Sequence, residues 1–474
     1  MFAQTCAMND IPAATQFDPS LVARYDVAGP RYTSYPTAPQ FKANFGAASL
    51  CRVIRASNED PIPRALSLYV HVPFCLSPCF YCGCNRVITR DPGQAARYLE
   101  RLYREIELIA PQFDRDRLVQ QLHFGGGTPN FLSDMSLMKD LLDSLSRHFS
   151  FSHEVDREYG IEIDPRFADG TYVRGLGELG FNRISVGIQD FDPKVQQAVN
   201  RIQSIEQTRE VLDAAKASAF RSTSVDLIYG LPFQTVDAFS RTLEQVVALD
   251  PDRVAVYGYA HLPEMFKAQR QIDAADLPDT ATRLALFGRA LEFLTSAGYV
   301  YVGMDHFAKA GDELVLAQRS GTLQRNFQGY STHGDCDIVG LGVSAIGRIG
   351  NSYSQNARDL IGYYAALDAG RIPVAKGLEL DDDDVIRRAV IGELMCHGRL
   401  DKQAFGERYQ LIFDEYFTKA RQRLQPLIAD GLVLETPLDI QVTSRGRLLL
   451  RIIAMCFDAY LDGKVQTARY SRVI

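Results

Sequence analysis

Four of the nine cysteines in this 474-residue chain lie close together: Cys75, Cys79, Cys82 and Cys84. The first three are spaced C-x3-C-x2-C and follow an apolar run, Leu66 to Val72, that reads as a strand. Three thiolates from one short loop can hold three irons of a cubane [4Fe–4S] cluster. A fourth thiolate is the usual complement; without it one iron keeps an open coordination site for a small molecule. Only Gly83 separates Cys84 from Cys82, which makes Cys84 a poor fourth corner. The loop therefore reads as three ligands and one open iron, with Cys84 kept apart as a candidate catalytic residue. A structural zinc site is the competing reading, since zinc also takes clustered cysteines. Zinc fingers usually pair two C-x2-C knuckles, whereas Cys6, Cys51, Cys336, Cys396 and Cys456 are all isolated.

The elements that must position this loop alternate. Strand-like runs cover 66–72, 119–124, 159–163, 183–188, 222–229 and 253–259, and helical periodicity fills stretches such as 95–109, 133–148, 206–219 and 236–249. Strand then helix, six times, predicts a parallel sheet with helices outside, a partial (β/α)6 barrel rather than a full eight-fold one. A helix over 281–297 and a strand over 299–304 close the region. Polar or glycine-rich features interrupt the strands near their ends: HFGGGTP (123–129), Glu162, Gln189, Asp226 and YAHLP (259–263). Each alone reads most simply as a satisfied core group. In α/β barrels, however, the C-terminal strand ends form the active site, and five such features share that rim with the cysteines. Gly125, Gly126 and Gly127 let a backbone approach a ligand closely. No Lys-Ser/Thr follows, so this is no phosphate loop; the ammonium or carboxylate of a bound amino acid fits bare backbone better.

Residues 1–60 lack periodicity and read as an N-terminal arm near the active site, with GPRYTSYPTAPQF at 29–41; residues 61–370 read as the barrel. Residues 371–474 predict a C-terminal mainly helical, winged-helix-like domain. Its helices fall at 382–396, 402–409 and 413–430, a hairpin at 431–435 and 439–443, and a last helix at 444–460. The hairpin tip carries no basic residue, so a lid or docking role is preferred to DNA binding. A net charge of −7 argues against broad nucleic-acid or anionic-membrane binding. The start has no basic, apolar leader, and LLLRIIAMCF is broken by Arg451. Reduced thiols, the cytoplasm and the absence of a membrane segment are expected.

At the cysteine loop the chain is similar to the radical S-adenosylmethionine (SAM) enzymes. With Tyr69 six residues before Cys75, and with Cys84, it resembles the oxygen-independent coproporphyrinogen III oxidases. The resemblance runs from YDVAGPRYTSYPTA through HFGGGTP, IEIDPR, GIQDFD, YAHLP, GMDHF and NFQGY to the terminal SRVI. It implies Cys75, Cys79 and Cys82 as cluster ligands, and Tyr69, Gly126, Glu162 and Ile346 as contacts of a SAM on the cluster. It further implies a second SAM at Tyr81, Gly127, Thr128, Gln189, Arg201, Asp226 and Ala260. The glycine turn is similar to the GGE-type loop of these enzymes, with Gly127 in place of the acid. The implied reaction is oxidative decarboxylation of two propionates of coproporphyrinogen III to vinyl groups, by a SAM-derived 5′-deoxyadenosyl radical that takes a propionate β-hydrogen. The product is protoporphyrinogen IX. Arg31, Arg166, Arg253 and Arg325 are candidates for the four substrate carboxylates. A low-potential donor such as flavodoxin or ferredoxin and a monomeric enzyme are also implied. Two other readings stand beside this one. A haem-carrying relative of the same fold would typically lack Cys84 and the YTSYPTA arm; a zinc-stapled regulator would be free of iron.

Overall fold

The computed structural model describes residues 15–461 and residue 472. The first fourteen residues, with Cys6, and the SRVI motif apart from Arg472 lie outside the described residues. The chain divides into two compact units. One comprises Ala38–Leu286 and Asp335–Leu380; the other comprises the described residues up to Thr37, Phe287–Gly334, and those from Asp381 on. These cuts differ from the divisions at 60 and 370 expected from sequence. Helix α1 (Ala47–Asn58), in the expected arm, belongs to the first unit.

The first unit alternates as its hydrophobic pattern predicts. β1 (Leu66–Val72) leads to α2 (Gly93–Ile109), β2 (Leu118–Gly126), α3 (Met135–His148), β3 (Glu158–Ile163) and α4 (Gly170–Glu178). β4 (Arg183–Gln189), α5 (Ile205–Lys216), β5 (Ser222–Tyr229), α6 (Val236–Ala248) and β6 (Arg253–Gly258) come next. The chain then leaves for the second unit and returns as β7 (Asp337–Leu341), β8 (Ile346–Ile349), β9 (Ser352–Asn356), α7 (Leu360–Asp368) and β10 (Val374–Glu379). Within this unit the strands lie in the order β6-β5-β4-β3-β2-β1-β7-β8-β9-β10. Those from β6 to β7 are parallel, and β7 to β10 pair antiparallel.

Register decides which side chains share a face. Alternate residues of a strand point to opposite faces, and in β4 Ile184, Val186 and Ile188 are buried while Ser185, Gly187 and Gln189 are half-buried. Glu162 pairs with Ser185, and Gly187 with Asp226. Tyr69 pairs with His123, and His123 with Gly160, two residues before Glu162. Tyr69, His123, Glu162, Ser185, Gly187 and Asp226 therefore share one sheet face. Arg253 opens β6 on that same face, in register with Ser224.

In the second unit the helices Asp382–His397 and Lys402–Tyr409 lie where expected, the former started by an Asp381–Asp384 capping box. Val433–Glu435 and Asp439–Val442 form the expected hairpin, to which Arg399–Asp401 adds an unexpected third strand. The helix expected over 413–430 breaks into Phe413–Tyr416 and Thr418–Ala429 at the buried Phe417. The expected last helix shrinks to Leu450–Met455. Before it the backbone tightens into a 3-10 turn at Arg447–Leu449, where buried Arg447 donates to the carbonyls of Tyr301 and Val302. No helix among the described residues is long and apolar enough to cross a membrane.

Candidate active site

The cysteine loop grows directly from the end of β1. Phe74–Cys75 pairs in parallel with Val87–Ile88, closing the loop at its base. Arg86 then draws the loop around its guanidinium, donating to the carbonyls of Cys79 (3.1 Å) and Cys82 (3.0 Å). Asn200 holds Pro78 O at 2.7 Å, and the Phe80 N–H reaches Val199 O at 2.9 Å. Phe80 and Tyr81 pack against a buried cluster of Val195, Val199, Ile228, Leu231, Tyr259 and Ile272, which excludes water from that side. Glycine suits position 83 because a Cβ there would meet the Phe266 ring at 3.1 Å.

Cys75, Cys79, Cys82 and Cys84 are all free thiols. Cys75 and Cys79 are buried, and Cys84 is exposed. The Cys84 N–H donates to Cys82 Sγ at 3.4 Å, and the Cys84 thiol's hydrogen bond lowers the Cys82 pKa to about 6. Burial pushes Cys75 up to about 11, although the Thr128 hydroxyl donates to its sulfur at 3.2 Å. Among the described residues no three His, Cys, Asp or Glu side chains converge on one ion position. Three soft sulfurs from one loop suit a cluster in which each thiolate takes its own iron.

The glycines work as the bare backbone predicts. A Cβ on Gly125 would fall 2.7 Å from Glu162 Oε1, one on Gly126 2.5 Å from the His71 ring, and one on Gly127 2.7 Å from Pro73 C. Gly126 also has φ +113°. His71, which sequence reasoning missed, explains this closeness. Burial lowers its pKa and keeps it neutral. Its Nε2 faces the carbonyl of Asn85 at 3.0 Å, so that nitrogen carries the proton, and Nδ1 accepts from the Tyr69 hydroxyl at 3.1 Å. Tyr69 stacks on His123, ring centroids 6.0 Å apart, and His123 Nε2 lies 3.1 Å from Glu162 Oε1. Desolvation opposes ionisation of Glu162, but the His123 contact and the Gly126 N–H outweigh it and lower its pKa. Asp226 goes the other way. Desolvation, then the charge of Glu162, raise it to about 7, while Ser185 Oγ donates to it at 3.3 Å. Two carboxyl groups on one face are thus held in different states near neutral pH.

Arg201 is buried and donates to Gly187 O at 2.6 Å, Asp164 Oδ2 at 3.1 Å and Cys79 Sγ at 3.5 Å. Arg166 makes the matching clamp, to Asp164 at 2.7 Å and to Cys79 Sγ at 3.4 Å. Arg166 therefore stands on a candidate cluster ligand and is engaged there, rather than offered to a substrate carboxylate. Gln189 takes φ +70°, and a Cβ on Gly187 would lie 2.8 Å from its Nε2. Gln269 ties Tyr81 O (2.8 Å) to Ala260 O (3.1 Å), joining the cysteine loop to the end of β6. Ile346 opens β8, and its carbonyl backs onto Gly340, the register partner of Tyr69. In the second unit Arg31 pairs with Asp305. Asp164, His71, His123 and Gln269 were not anticipated. Asp164 and His123 did stand inside quoted motifs, IEIDPR and HFGGGTP.

Comparison with known proteins accords with this geometry. The radical SAM superfamily model matches residues 69–246, and the HemN C-terminal domain model matches residues 380–449. A Pseudomonas aeruginosa protein, "Oxygen-independent coproporphyrinogen III oxidase", is 50% identical over 97% of this chain and 99% of its own length. An Escherichia coli K12 protein of the same description is 46% identical over 97% and 98%. The solved structure titled "Coproporphyrinogen III oxidase (HemN) from Escherichia coli is a Radical SAM enzyme" superposes with a TM-score of 0.89 at 45% identity. It covers 94% of this chain and all of that one. Fold and thiol loop thus define a radical SAM protein, a class that implies a [4Fe–4S] cluster and SAM. Within that class the chain belongs to the oxygen-independent coproporphyrinogen III oxidase family.

Proposed function

We propose that this chain converts two propionates of coproporphyrinogen III to vinyl groups at the sheet face that carries Tyr69, Glu162 and Asp226, with Cys75, Cys79 and Cys82 holding the cluster. When bound, cluster and SAM supply the carbon radical that takes the propionate β-hydrogen; the chain's own residues bind, orient and keep water out. Tyr69, Gly126, Glu162 and Ile346 serve one SAM, with Gly126 exposing backbone to its amino-acid end. Tyr81, Gly127, Thr128, Gln189, Arg201, Asp226 and Ala260 serve a second. Glu162, ionised, suits a cationic or hydroxyl partner; Arg201 suits a carboxylate. A flavodoxin- or ferredoxin-like protein delivers the electron, and the enzyme acts as a monomer.

The observation that carries this reading is that Tyr69, Glu162 and Asp226 lie on one sheet face and the three thiols leave the same end of β1. The test is anaerobic reconstitution with iron and sulfide, then SAM, reductant and coproporphyrinogen III. Protoporphyrinogen IX, with methionine and 5′-deoxyadenosine, is expected. Iron-loaded protein that cleaves SAM but never yields a vinyl product would defeat it.

A further inference from the structure

In the first unit, His123 joins two of the residues proposed to hold the first SAM, yet has no role of its own in that proposal. It is the middle member of a cross-strand row: Tyr69 of β1 pairs with His123 of β2, and His123 with Gly160 of β3. Toward β1 its ring lies nearly parallel to the Tyr69 ring, 12° between planes and 6.0 Å between centroids. Toward β3 a glycine makes room for it; a Cβ on Gly160 would come within 3.2 Å of Nδ1. Held flat in this way, the ring brings Nε2 to 3.1 Å from Glu162 Oε1, two residues along β3 from Gly160. An ionised carboxylate only accepts, so Nε2 carries the proton and donates it.

No other side chain among the described residues donates a hydrogen bond to Glu162. β1 sets Tyr69 and His71 beside it, β5 sets Asp226, and the cysteine loop sets Cys84. Each of these is engaged elsewhere or uncharged. The Tyr69 hydroxyl goes to His71, which burial keeps neutral. Asp226, raised to about 7, takes its hydrogen bond from Ser185. The Cys84 thiol bonds to Cys82. The Glu162 side chain nevertheless stays 45% exposed. His123 therefore backs one carboxylate oxygen and leaves the open side of the group for a ligand.

We propose that His123 is a positioning residue for the first SAM, aiming the Glu162 carboxylate with its Nε2 proton while its ring backs Tyr69. The inference rests on the proposed place of that SAM at Tyr69 and Glu162, and adds the residue that couples the two contacts. A hydrogen bond given to the ionised form of an acid favours that form. The same proton thus keeps Glu162 charged toward a cationic or hydroxyl partner.

The test uses the full, cluster-loaded chain and its His123→Phe and His123→Gln variants. Phe keeps a flat ring beside Tyr69 and loses the proton; Gln keeps an N–H near the place of Nε2 and loses the ring. SAM binding is measured by anaerobic equilibrium dialysis over a pH series, with iron counted in every sample. Near neutral pH, His123→Phe is expected to bind SAM about 10- to 100-fold more weakly, the worth of a hydrogen bond to a charged group, with iron content unchanged. As pH falls, its binding should fail at a higher pH than the parent's, because a carboxylate without its donor takes up a proton sooner. His123→Gln should lie nearer to the parent on both counts. A Phe variant that binds as tightly as the parent overturns the proposal. So does a loss that is the same at every pH, or one that Gln suffers and Phe does not, since either marks the ring as packing alone. Should Phe fail to hold iron, His123→Asn takes its place: its amide is too short to reach Glu162, and equal behaviour of Asn and Gln overturns the proposal. If the parent binds SAM and makes vinyl product while these variants are indifferent, only this inference fails. If the parent binds no SAM or makes no vinyl product, the reading beneath it fails.

Discussion

Two guanidinium groups, those of Arg166 and Arg201, donate to the sulfur of Cys79. Hydrogen bonds to a cluster's sulfurs favour its reduced state. Arg166→Gln leaves Arg201 on Asp164 and should lower the midpoint potential by roughly 20–60 mV. That is the one-electron equivalent of a hydrogen bond of ~0.5–1.5 kcal/mol. A redox titration followed by electron paramagnetic resonance reads it, and an unmoved potential would sink it. Alanine at Cys75, Cys79 or Cys82 should abolish iron binding, while Cys84→Ser keeps iron and SAM cleavage; iron analysis checks the first, and iron analysis with 5′-deoxyadenosine release the second. Asp226→Asn should still cleave one SAM but fail to complete decarboxylation, and normal turnover would make the second SAM site dispensable. The cysteines stood out by their spacing, and Glu162, Gln189 and Asp226 because polar residues stand out in apolar strands. His71 and Asp164 did not. Their roles depend on which strand lies beside which, and on a chain reversal that brings Asn85 back over β1.

Among the elements, α2 is latched to the far half of the sheet by one buried acid. Glu105 accepts from the Gly342 N–H (2.7 Å), Asn356 (2.6 Å) and Tyr363 (2.5 Å), which lie after β7, in β9 and in α7. Burial nevertheless raises its pKa to about 7. The folded state thus holds the proton more tightly than the unfolded chain does. Stability should be full below the unfolded value and fall as pH rises to about 7, where the loss levels off. Glu105→Gln should remove that slope from melting temperature against pH, whatever constant offset the amide brings; parallel slopes would refute it. Gly126→Ala forces a side chain into φ +113° and into the His71 ring. It should cost at least ~1–3 kcal/mol in urea unfolding, and a neutral result would mean that the turn readjusts freely. Strand positions were readable because each buried strand is a bounded apolar run. Helix α1 was not: its buried residues are only Leu50 and Ile54, and no side chain caps its start. The overlong last helix has the opposite cause, since LLLRIIAMCF satisfies helical periodicity although the backbone at Arg447 tightens to meet carbonyls elsewhere.

At the scale of the molecule, β1 is flanked by partners from distant parts of the chain: β2 shortly after it, and β7, where Leu66 pairs with Asp337. Asp337 also accepts from Arg117 at 2.6 Å, both side chains almost wholly buried at 0% and 1% exposure. Ser57 and the Gly350 N–H complete its shell. Asp337→Ala strands a buried guanidinium and should cost ~3–5 kcal/mol; a loss under about 1 kcal/mol would show that water reaches Arg117. The same pairing has a consequence in time. On a ribosome adding about 5–20 residues per second, roughly 15–55 s pass between the emergence of β1 and that of its second neighbour. Through that interval the nascent cysteine loop hangs from a strand with one flank open. The bed for the iron is finished late, which favours metal loading after β7 has joined the sheet over loading as the cysteine loop first emerges.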